Sequence, residues 1–173
     1  KVSNLLKKCP IASETPLLEL EDFLPHGTLW VKDERGRMGL GSFKALGAAY
    51  VIASHAQELD ENPCSTTLEG KTYVTASAGN HGLSLAAGAK IFGAKAVVFI
   101  SETVPESFSD RLREKGAVPV RKGIDYAASM SAALKAAEEN DWILLSDSSW
   151  KDYIDQPLKL MEGYLQMADE AMN

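Results

Sequence analysis

The stretch GSFKALGAAYVIA (41–53) holds a single charged side chain, Lys44, among small and apolar residues. Ser42 suits a helix N-cap, and the residues behind it predict a helix from Phe43 to about Glu58. One turn onward on the face of Lys44 lie Gly47, Ala48 and Val51, none of them polar. Apolar surroundings and the positive end of a helix both favour the uncharged amine, so a depressed pKa is expected for Lys44. An uncharged amine is a nucleophile and a proton carrier. Taken alone, a lysine at a helix start is more often a solvated surface residue.

Two further places carry residue types that could do chemistry. In TASAGNHG (75–82), backbone N–H groups at Ser77, Gly79 and Asn80 offer a seat for an anion such as a carboxylate. Gly79 and Gly82 permit close approach, and the Asn80 amide can hydrogen-bond a hydroxyl or an oxyanion. An ordinary turn capped by Ser77 and Asn80 would contain the same residues. His81 reads equally as a packed helix-start residue or as part of the site. In SDSSW (146–150), Asp147 could take or give a proton, or could simply cap a turn. Trp150 and Tyr153 read as packing residues. Three dispersed histidines and two cysteines do not make a zinc site.

The elements that must position these residues alternate regularly. TLWVKDE (28–34) reads as a strand, followed by the glycine-punctuated RGRMGLGS loop and the lysine helix. KTYVTA, KAVVFI, AVPVR and DWILLSD then read as strands, separated by helices at NHGLSLAAGAKIFG, PESFSDRLREKG and DYAASMSAALKAAEEN. This predicts an α/β fold with a four-stranded parallel sheet. Pro119 inside the third of these strands places it at an edge, giving the order 3-2-1-4. The switch point then lies between the first and fourth strands, whose carboxyl ends are TASAGNHG and SDSSW. The segment after Pro157 reads as a helix with apolar positions Leu158, Met161, Leu165 and Ala168, belonging to a second body.

With 173 residues, 45% hydrophobic and 24% charged, the chain has the composition of a globular protein. A net charge of −6 gives no electrostatic reason to expect nucleic acid or an anionic membrane as partner. No apolar run approaches the roughly 20 residues of a membrane helix, and the N-terminus does not read as a secretory signal. Cys9 and Cys64 form no motif, which points to a reducing, cytoplasmic setting.

The combination of GSFK (41–44), SAGNHG (77–82) and DSSWKDY (147–153) resembles fold type II pyridoxal-phosphate-dependent enzymes, the tryptophan synthase β and threonine dehydratase superfamily. TPLLEL (15–20), VKDERGRMGLGSFKALGAAYVIA (31–53) and EGYLQMADE (162–170) extend the likeness to nearly the whole chain, closest to proteins of the diaminopropionate ammonia-lyase type. The resemblance implies that Lys44 forms an imine with pyridoxal 5'-phosphate and that Phe43 and Asn80 contact the cofactor, Asn80 at its ring hydroxyl. It implies that Ser77, Ala78, Gly79, Asn80 and His81 seat the substrate carboxylate, and that Asp147 removes the α-proton of an L-amino acid. The reaction implied is elimination of ammonia from a β-substituted amino acid, diaminopropionate-like or serine/threonine-like, to a 2-oxo acid.

Ala78 stands where the ammonia-lyase branch carries a second carboxylate, so the loop matches the serine/threonine dehydratase version. The family also implies a homodimer. No glycine-rich phosphate cup follows the site, and this piece alone is expected not to hold the cofactor tightly or to be active. By the same resemblance, residues 1–42 belong to a larger cofactor domain, 43–150 to a small α/β domain, and 151–173 to a helix returning to the larger one. Competing readings are a β-replacement or threonine synthase-like enzyme, and a non-catalytic module that binds a small anion or a partner.

Overall fold

The strand expected around 28–34 is β2 (Leu29–Lys32), and it pairs antiparallel with β1 (Leu17–Leu20). The sequence reading lacks β1, because LLEL shows no apolar–polar alternation. In this computed structural model, which describes residues 2–6 and 8–173, a short helix α1 (Val2–Leu6) precedes the hairpin. Lys1 and Lys7, two of the basic residues at the N-terminus, lie outside the described residues.

A four-stranded parallel sheet forms the centre. β3 (Thr72–Ala76), β4 (Lys95–Ile100), β5 (Ala117–Arg121) and β6 (Ile143–Leu144) lie in the order β5-β4-β3-β6. This is the predicted order, with Pro119 on the outer strand, where its missing N–H removes no sheet bond. β6 is far shorter than DWILLSD suggested. Only Ile143 and Leu144 pair fully with β3, and Leu145 adds one N–H to the Val74 carbonyl.

Helices α2 (Ala48–Leu59) and α3 (Asn80–Ile91) cover one face together with α4 (Glu106–Glu114), and their buried side chains form the larger core around Val51, Ile52, Leu85 and Leu112. Helix α5 (Tyr126–Asn140) covers the other face through Met130, Ala133 and Ala137. The last helix, α6 (Asp155–Met172), starts two residues before Pro157, a position proline tolerates because the first turn needs no amide donor. Its inward face carries Pro157, Leu160 and Gly163, with Tyr164 and Met167 packed alongside. The apolar positions named from sequence, Leu158, Met161, Leu165 and Ala168, all face outward, away from this core.

The lysine helix is also corrected. Instead of one helix from Phe43 to Glu58, a single 3-10 turn (Phe43–Leu46) precedes α2, with Gly47 between them at φ −82°, ψ −83°. Two glycines make room for α6 here. A Cβ on Gly163 would collide with the Leu46 carbonyl oxygen, and a Cβ on Gly47 would stand 2.7 Å from the Tyr164 hydroxyl. The turn that carries Lys44 is thus pinned between α6 and α3.

Candidate active site

Ser42 caps the lysine turn as expected, its Oγ accepting from the Lys44 N–H at 3.2 Å. The Lys44 side chain does not run into apolar surroundings. Its Nζ lies 3.0 Å from Asp147 Oδ2, with the two side chains 29% and 26% exposed. The rings of Phe43 and Tyr164 meet edge to face, and Nζ stands 5.5 Å from each centroid.

This overturns the expected depression of the Lys44 pKa. Burial opposes the charge, but the Asp147 carboxylate and the Tyr164 phenol outweigh it, and the pKa is raised. Helix-dipole reasoning failed because Lys44 occupies a one-turn 3-10 segment, and because its counter-charge comes from a residue 103 positions away. For Asp147, burial pushes the carboxyl up, while the His81 imidazole and the Lys44 contact push it down, and the net direction is down.

The loop at the end of β3 presents fewer free donors than its sequence suggested. The Ser77 N–H donates to the Phe99 carbonyl at 3.1 Å. Ser77 Oγ in turn accepts from the N–H groups of Gly79, at 3.2 Å, and Gly82, at 3.1 Å. Among the described residues, the N–H groups of Ala78, Asn80 and His81 make no hydrogen bond. The donors left free for an anion are therefore these three amides at the start of α3, with Ser77 and Gly79 shaping the turn. Ala78 and Asn80 are exposed, and open space surrounds Gly79. His81 is buried, and its Nε2 lies 2.8 Å from the Leu145 carbonyl. Its ring thus braces the strand that ends at Asp147 and faces away from the loop mouth.

A cleft of about 480 Å³ is bounded by Asn80, Phe43, Ser42 and Gly41 on one side and by Val31 to Arg35 on the other. A flat aromatic ring between Phe43 and Asn80 fits this space, and the Asn80 amide is free of hydrogen bonds among the described residues. Of the sites named from sequence, Lys44 and Asp147 meet directly, and Phe43 and Asn80 line one cleft.

Two features of the site escaped the sequence reading. Tyr164, on α6, faces Lys44, and its buried hydroxyl has no hydrogen-bond partner among the described residues. Its position in a helical repeat gave no signal of that contact. The second is a buried ionic cluster behind the loop leading to Lys44. Arg37, 2% exposed, binds Glu34 at 2.8 Å and Glu170 at 2.6 Å, and also donates to the Ser13 carbonyl and Thr15 Oγ1. Lys32 binds Glu170 at 3.0 Å. The cluster ties the N-terminal arm, β2, the 3-10 segment Glu34–Gly39 and α6 to one another.

The chain is similar in sequence and fold to known proteins. A family model described as "Pyridoxal-phosphate dependent enzyme" matches residues 10–173. Diaminopropionate ammonia-lyase of Salmonella typhimurium is 30% identical over 95% of this chain and 45% of its own length. Its counterpart in Escherichia coli K12 is 31% identical over 91% of this chain and 43% of its own. The crystal structure of holo diaminopropionate ammonia lyase from Escherichia coli superposes with a TM-score of 0.91 at 30% identity, over 99% of this chain and 47% of that one. The chain spans about half the length of the relatives it matches. A lysine turn, an asparagine loop and a strand-end aspartate, within a match that covers nearly all residues, place the chain in the pyridoxal-phosphate dependent enzyme family.

Proposed function

We propose that the chain is the lysine-bearing part of a pyridoxal-phosphate-dependent lyase that eliminates ammonia from a β-substituted L-amino acid, of the diaminopropionate or serine/threonine kind, to leave a 2-oxo acid. The observation that carries this reading is the contact of Lys44 with Asp147 at 3.0 Å, one residue on from Phe43, which lines a cleft with Asn80. When bound, pyridoxal phosphate supplies an aldehyde to the lysine and an electron sink for the charge left by the α-proton.

The chain's own residues divide the remaining work. Lys44 would anchor the cofactor, and its amine would hold a proton beside the reacting centre. Asn80, through its side-chain amide, and Phe43, through its ring, would hold the cofactor in the cleft they line. The free amides of Ala78, Asn80 and His81 seat the substrate carboxylate, which orients the bond to be broken. Asp147, ionised and in reach of Lys44, takes the α-proton. Ala78 offers no second carboxylate from the loop, which supports attack from one face only and hence the L-isomer.

Residues 1–42 and 151–173 fit the proposed larger cofactor domain, since β1, β2 and the outer stripe of α6 expose Leu17, Leu18, Trp30, Leu158 and Met161. Residues 43–150 are the proposed small domain. We also assign a homodimer and a cytoplasmic setting to the intact protein, by kinship and by cysteine usage. Among the described residues no helix is long and apolar enough to cross a membrane.

The test is turnover by the intact protein that carries this sequence, supplied with pyridoxal phosphate and L-diaminopropionate or L-serine. Ammonia and a 2-oxo acid should appear without a second substrate, and Lys44→Ala should abolish them. Product that forms only when a second nucleophile is supplied would assign β-replacement instead.

A further inference from the structure

Asp147 follows a strand that has almost no sheet to hold it. β6 is the outermost strand, paired with β3 on one side and open on the other. In a strand, successive residues direct their polar backbone groups to opposite sides. The Leu145 N–H points inward to the Val74 carbonyl, at 2.9 Å. The Leu144 carbonyl and the Ser146 N–H therefore point outward, where no further strand lies among the described residues.

One side chain satisfies both. Tyr153 Oη accepts from the Ser146 N–H at 2.9 Å and donates to the Leu144 carbonyl at 3.2 Å. A hydroxyl is suited to this because it accepts and donates at once. Burial and the Asp147 charge raise the phenol to about 12, so it keeps its proton at neutral pH. His81 holds the residue between, through the Leu145 carbonyl at 2.8 Å. The Tyr153 ring is fixed by Trp150, stacked at 4.2 Å with planes 13° apart, and the two residues exchange backbone hydrogen bonds that close the loop. The spacing of aspartate, tryptophan and tyrosine in DSSWKDY then has a physical reason: the loop leaves at Asp147 and returns its tyrosine to the strand just before it.

We propose that Tyr153 is a positioning residue that stands in for a missing neighbouring strand and so aims the Asp147 carboxylate at Lys44. The proposal rests on Lys44 and Asp147 being the proton-handling pair. Packing alone would need the ring of Tyr153 but not its hydroxyl.

The readout is the titration of the Lys44 amine in the intact, cofactor-free protein, followed by pH-dependent labelling with limiting acetic anhydride and peptide mass spectrometry. Exposed Lys135 serves as the internal reference. Asp147→Asn should lower the Lys44 midpoint and sets the full effect. Tyr153→Phe should move it in the same direction, with about threefold more labelling of Lys44 near neutral pH. The double variant should add nothing to Asp147→Asn. Trp150→Leu, which loosens the ring at a part-exposed position, should give a smaller shift and serves if Tyr153→Phe does not fold. A Lys44 midpoint that responds to Asp147→Asn but to neither aromatic variant overturns the proposal and leaves the pair intact. A midpoint unmoved by Asp147→Asn overturns the pair itself, and the proposal with it.

Discussion

The Lys44 amine and the Asp147 carboxylate meet at 3.0 Å although 103 residues separate them in sequence. Each is part-exposed, so a ligand can reach both. Burial disfavours either charge, and the contact between them keeps both groups ionised. A proton donor and a proton acceptor thus stand in direct contact.

Asp147→Asn removes the acceptor but keeps the shape. Turnover of an L-substrate by the intact protein should fall by about 10²–10⁴, the usual range for loss of a general base. Steady-state kinetics checks this, and unchanged turnover would mean that another group takes the α-proton.

Tyr164→Phe separates electrostatics from stability. The hydroxyl is buried without a hydrogen bond among the described residues, while the phenol favours the charged Lys44 amine. The two effects oppose, so removal of the hydroxyl should leave the melting temperature nearly unchanged. The Lys44 pKa should fall, because the phenol helps to hold the charged amine. Calorimetry paired with amine titration checks both, and a clear drop in melting temperature would show that the hydroxyl has a partner.

Gly163→Ala would drive a methyl group into the Leu46 carbonyl oxygen. A backbone atom cannot yield as a side chain does, so overpacking at about 1–3 kcal/mol should exceed the helix-propensity gain of about 1 kcal/mol. Urea denaturation should show the net loss. Because α6 would be pushed off the lysine turn, the Lys44 titration should shift as well.

Glu170 makes acid stability predictable. Burial raises its carboxyl, but Arg37 and Lys32 more than offset this and hold it at about 2, below an ordinary value of 4.5. A depressed folded pKa means that the contribution is fully present above the unfolded value and is lost as pH falls from 4.5 towards 2. The loss should reach about 3 kcal/mol. Urea midpoints measured across that range check this, and Glu170→Gln should flatten the acid limb. The same variant should cost about 3 kcal/mol at neutral pH, since Arg37 would be left short of a buried partner.

Much of the fold was legible because its signals are local. Apolar runs broken by glycine gave the parallel strands, and a single proline gave the edge, hence the strand order. The three site segments were legible as motifs, and strand order alone put two of them at one crevice. Relations across the chain were not legible. The Lys44 pKa was misjudged because helix position and neighbours were visible while Asp147 was not. The inward face of α6 was not legible because two apolar stripes are available, and Gly163 selects the one that can approach Leu46. Arg37 looked like one more charge in a polar loop, although its partners come from three separate segments. Tyr153 was read as packing, since nothing local reveals a hydroxyl that completes a strand edge.

Reductive trapping tests the central claim most directly. The intact protein is mixed with pyridoxal phosphate, reduced with borohydride, digested and mapped by mass spectrometry. Modification concentrated on Lys44, and lost in Lys44→Ala without moving to another lysine, is the predicted result. Label spread over exposed lysines such as Lys135, with Lys44 no more reactive than they are, would contradict it.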